Sequence, residues 1–176
     1  SYIVALNLKP EKAYVIGEKG LKYELRKKGF KITSKKPKYV IVGLDRKVTY
    51  SKISKAVRLI LAGAKFVATN TDATFPTPSG IIPGAGSIVA AIQKCVNRKP
   101  YVFGKPNKIF FRTCIKLLGT TKICVIGDRL DTDIKGGLNS GLDTVLLLTG
   151  VTSPEDLKNA KIKPTYIAND LKELIF

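Results

Sequence analysis

Apolar and β-branched residues along the chain fall into short unbroken runs. Between these runs lie longer stretches where apolar positions recur every three or four residues. That alternation predicts βα units around a largely parallel sheet rather than a sandwich. Strands are expected at 13–17, 39–44 and 66–69, with helices near 20–28 and over 50–62 between them. The second helix places Ile53, Val57, Leu59, Ile60 and Leu61 on its inner side, and the Ala-Gly-Ala-Lys that follows closes it. A loop, TNTDATFPTPSGIIPGAGS, comes next; it is crowded with Thr, Pro and Gly and longer than a simple connection needs, which points to a functional segment or a linker. After a helix at 87–96, the sequence NRKP at 97–100 interrupts the pattern. A second series then runs strand 101–103, helix 108–118, strand 122–126, helix 132–139 and strand 144–148, with short elements in TYIAND and LKELIF. The expected class is α/β, with a domain boundary near Asn97 and a second crossing of the chain between domains before residue 10.

Composition narrows this picture. With 176 residues, 44% of them hydrophobic, the chain can bury one sizeable core or two small ones. No run approaches a membrane span and no secretory leader is visible, so a cytoplasmic protein without membrane contact is expected. Cys95, Cys114 and Cys124 are odd in number, form no C-x-x-C and sit among apolar residues, which fits reduced core thiols. The absence of histidine excludes Ser-His-Asp and Cys-His sites and metal sites built on imidazole, so any metal here is held by oxygen. There is no methionine either, and the chain is expected to start inside a longer polypeptide. The net charge of +18 invites a nucleic-acid reading, but the lysines are scattered, KKPK at 35–38 is the only local cluster, and no RNP-type motif, zinc finger or helix-turn-helix pattern accompanies them. Solvated faces account better for the charge.

The candidate chemistry lies in ICVIGDRLDTDI, residues 123–134. An apolar strand ends in Gly127, which puts Asp128 at the carboxyl edge of a parallel sheet, where open α/β sheets bind ligands. Asp133 falls in the first turn of the following helix. Oxygen ligands placed this way, without His or Cys, suit a partly hydrated Mg²⁺ whose shell is completed by substrate phosphate. Helix capping is the competing account: it explains Asp131, Thr132 and Asp133 and leaves Asp128 without a partner. In FGKPN, Lys105 follows a short strand and Pro106 opens a helix, so the ammonium is presented at the same kind of sheet edge. A lysine there can neutralise charge on a transferring phosphoryl group. Asn70 and Asp72 can be read as an Asx-type turn before Pro76 or as ligand contacts. Gly84 and Gly86 lack the leading strand of a dinucleotide fingerprint, and a helix-capping role suits them better.

Taken together, GKPN followed by VIGDRLDTDI and GLNSGLDTVLLLTG resembles the haloacid-dehalogenase (HAD) superfamily of phosphatases, in its 4-nitrophenylphosphatase and phosphoglycolate phosphatase (NagD-like) subgroup. The resemblance extends back through VATNTDATFPTPSGIIPGAGSIVAAI and AYVIGEKGLKYELRKKGF, which look like that subgroup's α/β cap. It implies a partial Rossmann-like HAD core with a parallel sheet plus an α/β cap domain: a hinge or core remnant at 1–11, the cap at 12–97 and the C-terminal half of the core at 98–176. It also implies a hydrolase of small phosphorylated substrates that works through an aspartyl-phosphate. Asp128 would be the Mg²⁺ ligand, Asp133 the supporting acidic residue and Lys105 the lysine that holds the phosphoryl group, while Asn70 and Asp72 would lie in a substrate-choosing cap loop. Homodimerisation through the cap fits the resemblance. The family's D-x-D nucleophile motif and its Thr/Ser motif are not in the sequence, so both are expected upstream. Asp45 follows a strand but lacks a D-x-D partner and is not a candidate nucleophile. The competing expectation is a catalytically incomplete fragment or homologue that binds phosphorylated ligands or a protein partner.

Overall fold

The structure, a computed structural model, describes residues 1–174 and divides into two compact units, Ser1–Gly104 and Lys105–Phe176. No helix among the described residues is long and apolar enough to cross a membrane.

The first unit opens with α1 (Tyr2–Asn7) and is built on a five-stranded sheet. Its strands are β1 (Lys12–Ile16), β2 (Lys31–Ile32), β3 (Tyr39–Val42), β4 (Lys65–Ala68) and β7 (Tyr101–Val102), all parallel, in the order β2-β1-β3-β4-β7. All four residues of β3 are buried, as expected of a central strand covered on both faces. Helices α2 (Lys19–Lys27), α3 (Tyr50–Leu61) and α4 (Ala85–Val96) make the crossovers. The core joins Ile16, Val40, Val42 and Phe66 of the sheet to Ile60 of α3 and Ile88 and Ile92 of α4. Ile92 is fully buried at its centre. Ile92→Ala is therefore expected to cost about 2–5 kcal/mol, the range for deleting a buried aliphatic side chain; a denaturant titration checks it, and a loss under about 1 kcal/mol would contradict the packing described.

Several expectations need correcting. Strand 101–103 does not open the second series: Tyr101 and Val102 pair with Val67 and Ala68 of β4, so the division falls after Gly104 rather than near Asn97. Leu61 is 57% exposed; α3 buries Ala56 and Ile60 instead, with Ile53, Val57 and Leu59 packed against the core only in part. The long loop contains an antiparallel hairpin, β5 (Thr74–Thr77) with β6 (Gly80–Pro83).

The second unit carries a parallel three-stranded sheet of β8 (Cys124–Gly127), β9 (Asp143–Leu147) and β10 (Tyr166–Ala168), in the order β10-β9-β8. Helices α5 (Lys108–Leu118), α6 (Lys135–Asn139) and α7 (Pro154–Asn159) accompany it. The helix expected over 132–139 is a π-helical turn at Leu130–Ile134 that runs into the five-residue α6. Among the described residues β8 has a strand on one side only, and Ile126 and Cys124 on it are exposed. Of the LKELIF element, Leu171–Leu174 form a 3-10 turn, and Ile175 and Phe176 lie outside the described residues. The three cysteines are free, but they are not core thiols: Cys95 and Cys124 are exposed and Cys114 is half-buried. Desolvation and the nearby Asp143 carboxylate push the Cys124 thiol up, which disfavours its thiolate.

Candidate active site

The second unit brings Lys105 and Asp133 together across 28 positions of sequence. The Lys105 ammonium donates to Asp133 Oδ1 at 2.5 Å, with the lysine side chain 43% exposed and the aspartate 6%. Asp133 Oδ2 accepts from the backbone N–H of Arg129 at 3.3 Å. Both oxygens of this buried carboxylate thus have partners, one of them cationic, which is what makes its burial tolerable. The same bond holds the turn between β8 and the π-helical segment. π-Helical turns re-aim side chains and recur at functional sites, and this one turns Asp133 back toward Gly127, where any Cβ would overlap its carboxylate.

Asp128 sits at the carboxyl end of β8, one residue beyond Gly127. Its Oδ2 accepts from the Val151 N–H at 2.8 Å, and its carbonyl accepts from Thr152 N–H at 3.1 Å. The loop at 148–152 can wrap so closely because Gly150 has no Cβ; one would overlap the Asp128 side chain. Asp128 Oδ1 has no hydrogen-bond partner among the described residues. Sequence spacing left Asp128 unpaired, since its backbone partner lies 23 residues away on another loop. Asp131 does not cap a helix: it is exposed and meets the Arg129 guanidinium at 3.3 Å.

In the first unit, Asn70 and Asp72 form one polar chain with Thr69. Thr69 Oγ1 donates to Asn70 Oδ1 at 3.1 Å, and Asn70 Nδ2 donates to Asp72 Oδ2 at 2.5 Å. This chain follows the carboxyl end of β4 and is braced by the start of α4. Gly84 N–H donates to the Ala73 carbonyl and Gly86 N–H to the Asp72 carbonyl, each at 2.8 Å. The two glycines therefore serve close backbone approach: a Cβ on Gly84 would overlap the Asp72 carbonyl and one on Gly86 the Thr71 carbonyl. Asp45, which is 5% exposed, pairs with Lys52 at 2.8 Å and is occupied as a structural ion pair.

Known proteins are similar to this chain in sequence and in fold. A family description for HAD-hydrolase-like proteins matches residues 102–174. The dihydroxyacetone phosphatase of Corynebacterium glutamicum is 37% identical over 99% of this chain and 64% of its own length. The crystal structure of 4-nitrophenylphosphatase from Thermotoga maritima superposes with a TM-score of 0.92 at 36% identity, covering 98% of this chain and 69% of that one. The chain belongs to the HAD-like hydrolases. A third relative, glycerol phosphate phosphatase from Mycobacterium tuberculosis, was solved in complex with magnesium; it is 35% identical, with a TM-score of 0.91, and this chain covers 54% of it. This HAD-like chain thus spans about 64% of the Corynebacterium relative's length. Its own donor set suits magnesium in kind, because Asp128 Oδ1 is a hard oxygen without a partner among the described residues. It does not complete a site, since no group of three His, Cys, Asp or Glu among the described residues could hold a metal.

Proposed function

We propose that the chain forms the metal and lysine side of the active site of a magnesium-dependent phosphate-monoester hydrolase of small phosphorylated metabolites, and carries the cap domain of that enzyme. The observation that supports this most is the Lys105–Asp133 pair, whose carboxylate also accepts from the N–H of Arg129, the residue after Asp128 at the carboxyl end of β8. The names of the relatives, all phosphatases of small esters, agree with it.

Asp128 contributes one ligand to the ion, which when bound neutralises charge on the phosphoryl oxygens. Lys105 sets its ammonium against the same developing charge, in a site where a fixed cation needs no reorganisation. Asp133 is a positioning residue: one oxygen fixes the lysine and the other fixes the Arg129 N–H, so the cation and the Asp128 turn are held by one carboxylate. The nucleophile, an aspartate carboxylate supplied by polypeptide outside these 176 residues, displaces the alcohol from phosphorus to give an aspartyl-phosphate. Water then releases inorganic phosphate from it. Residues 12–97, extended by β7, act as the cap, which excludes water on closing and chooses substrates through Asn70 and Asp72.

The test uses the complete polypeptide and a panel of dihydroxyacetone phosphate, glycerol phosphate and 4-nitrophenyl phosphate. Phosphate release is expected with magnesium, to fall by orders of magnitude in EDTA, and to return when magnesium is restored. No release from any ester, or release indifferent to EDTA, would sink the assignment.

A further inference from the structure

The sheet of the first unit reverses its winding between β1 and β3, as the order β2-β1-β3-β4-β7 requires. At such a reversal the helices that follow the two strands diverge to opposite faces and leave a crevice outside the carboxyl ends, where open α/β sheets take their ligands. A cavity of about 460 Å³ lies at this place, between the turn from Gly17 to Gly20 after β1 and the segment from Asp45 to Lys47 after β3. A smaller one of about 270 Å³ adjoins it through Glu18 and Gly20 and reaches Thr69 and Asn70.

The charge around the larger cavity is uneven. Its two carboxylates are already committed, Glu18 to Arg46 at 2.6 Å and Asp45 to Lys52 at 2.8 Å. Lys19, Lys22 and Lys47 line the same space, and none of the three makes a side-chain hydrogen bond or ion pair among the described residues, although the Glu18 carboxyl, held down chiefly by its hydrogen bond from Arg46, is lowered also by nearby Lys47. Helix α2 also begins here. Glu18 occupies its N-cap position but gives it no side-chain hydrogen bond, because its oxygens accept from Arg46. The first-turn N–H groups of α2 therefore lack a side-chain cap, and Gly17 allows the helix to lie close against β1: a Cβ there would stand 2.6 Å from Leu21 Cδ2.

We propose that this crevice binds a phosphate-bearing small molecule, with its phosphate held by Lys19, Lys22 and Lys47 at the start of α2. Three lysines lining a concave site whose carboxylates are neutralised, beside uncapped helix N–H groups, form the environment a phosphate dianion needs. The remainder of the ligand extends along the smaller cavity toward Asn70. The lysines and the start of α2 belong to the first unit alone, while the reach toward Asn70 rests on the proposed role of Asn70 in choosing substrates.

The experiment measures the melting temperature of the protein against pyrophosphate at fixed ionic strength, in EDTA, with every sample carrying Lys105→Ala so that the phosphoryl-binding lysine of the candidate active site contributes nothing. The parent should show a saturable rise. The K19A/K22A/K47A variant should bind at least tenfold more weakly, while K158A/K161A/K163A, which removes the same charge elsewhere, should behave like the parent. Circular dichroism confirms that each variant is folded, and the single K47A variant, expected to weaken binding in part, replaces the triple if that one is not. No saturable rise, or equal weakening in both triples, overturns the proposal. The source of the phosphate is read in the complete polypeptide. If it belongs to a substrate, the triple raises KM for bisphosphorylated esters with kcat unchanged; if it belongs to a separate effector, the triple abolishes the response of turnover to added pyrophosphate. A triple that changes neither overturns a functional role for the crevice.

Discussion

Lys105→Ala in the complete polypeptide is expected to lower kcat on 4-nitrophenyl phosphate by about 10²–10³, the equivalent of ~3–4 kcal/mol of lost transition-state stabilisation. Its effect on stability should be smaller, though not negligible. The lysine side chain is 43% exposed, so its ion pair with Asp133 is partly screened, and the carboxylate keeps the Arg129 N–H as a partner. A loss of about 1–3 kcal/mol is the expectation, because the lysine is half exposed but its removal leaves the buried Asp133 carboxylate with one partner. Asp128→Asn should lower turnover by a comparable factor with an even milder effect on folding, since the amide oxygen still accepts from Val151 N–H. Steady-state rates paired with melting curves separate the two effects. Rates within tenfold of the parent for both variants would remove these residues from the chemistry, and a collapse of both fold and rate would make them structural.

Gly86→Ala is the substitution expected to cost most in folding for the smallest change in volume. The added Cβ would overlap the backbone carbonyl of Thr71 and stand 2.7 Å from the Asp72 carbonyl. Backbone cannot rotate out of the way as a side chain does. Relief would have to come from separating α4 from the segment it braces, at the expense of the Gly86 N–H bond to Asp72 and the Ser87 Oγ bond to the Ala73 carbonyl, both 2.8 Å. Overpacking of this kind costs about 3 kcal/mol. For a chain of this length that is a fall in melting temperature of ~6–12 °C. Gly20→Ala has nothing within 4 Å of its Cβ and should leave the melting temperature nearly unchanged. Because Asn70 and Asp72 hang from the segment that Gly86 braces, the surviving enzyme should also change its preference among phosphate esters. A Gly86→Ala protein as stable as the parent would mean that the approach of α4 to this loop is looser than described.

The strands that could be read from sequence are those whose apolar run is continuous, such as Tyr39–Val42, because a strand covered on both faces needs no polar alternation. Elements that depend on partners were not legible. The hairpin Thr74–Thr77 with Gly80–Pro83 contains two prolines and reads locally as loop, and Lys31–Ile32 is a strand only by virtue of β1 beside it. Tyr101–Val102 was assigned to the wrong series because chain order suggests a new start, while its parallel pairing to β4 closes the earlier sheet. Helix α7 is not among the expected elements: its signal is local, a capping box of Ser153 and Asp156 with Pro154 between them, which periodicity passes over in so short a helix. At the candidate site, Lys105 and Asp128 stood out because each follows a strand. That Asp133 meets Lys105, and that Val151 meets Asp128, depends on contacts 28 and 23 residues apart in the chain, which local pattern does not encode.

Taken as these 176 residues by themselves, the chain has a particular colloidal character at β8. Among the described residues β8 is paired along one border only, with Ile126 nearly half exposed on it, and such a border is a template for another strand. The surplus of 18 positive charges opposes that, since two copies approaching edge to edge must first overcome their mutual repulsion. The repulsion has a range of roughly 30 Å at 0.01 M salt and only about 3 Å at 1 M. Added electrolyte, which helps many basic proteins stay apart from nucleic acid and glass, therefore withdraws from this chain the force that keeps copies from pairing, and low ionic strength becomes its safer storage medium.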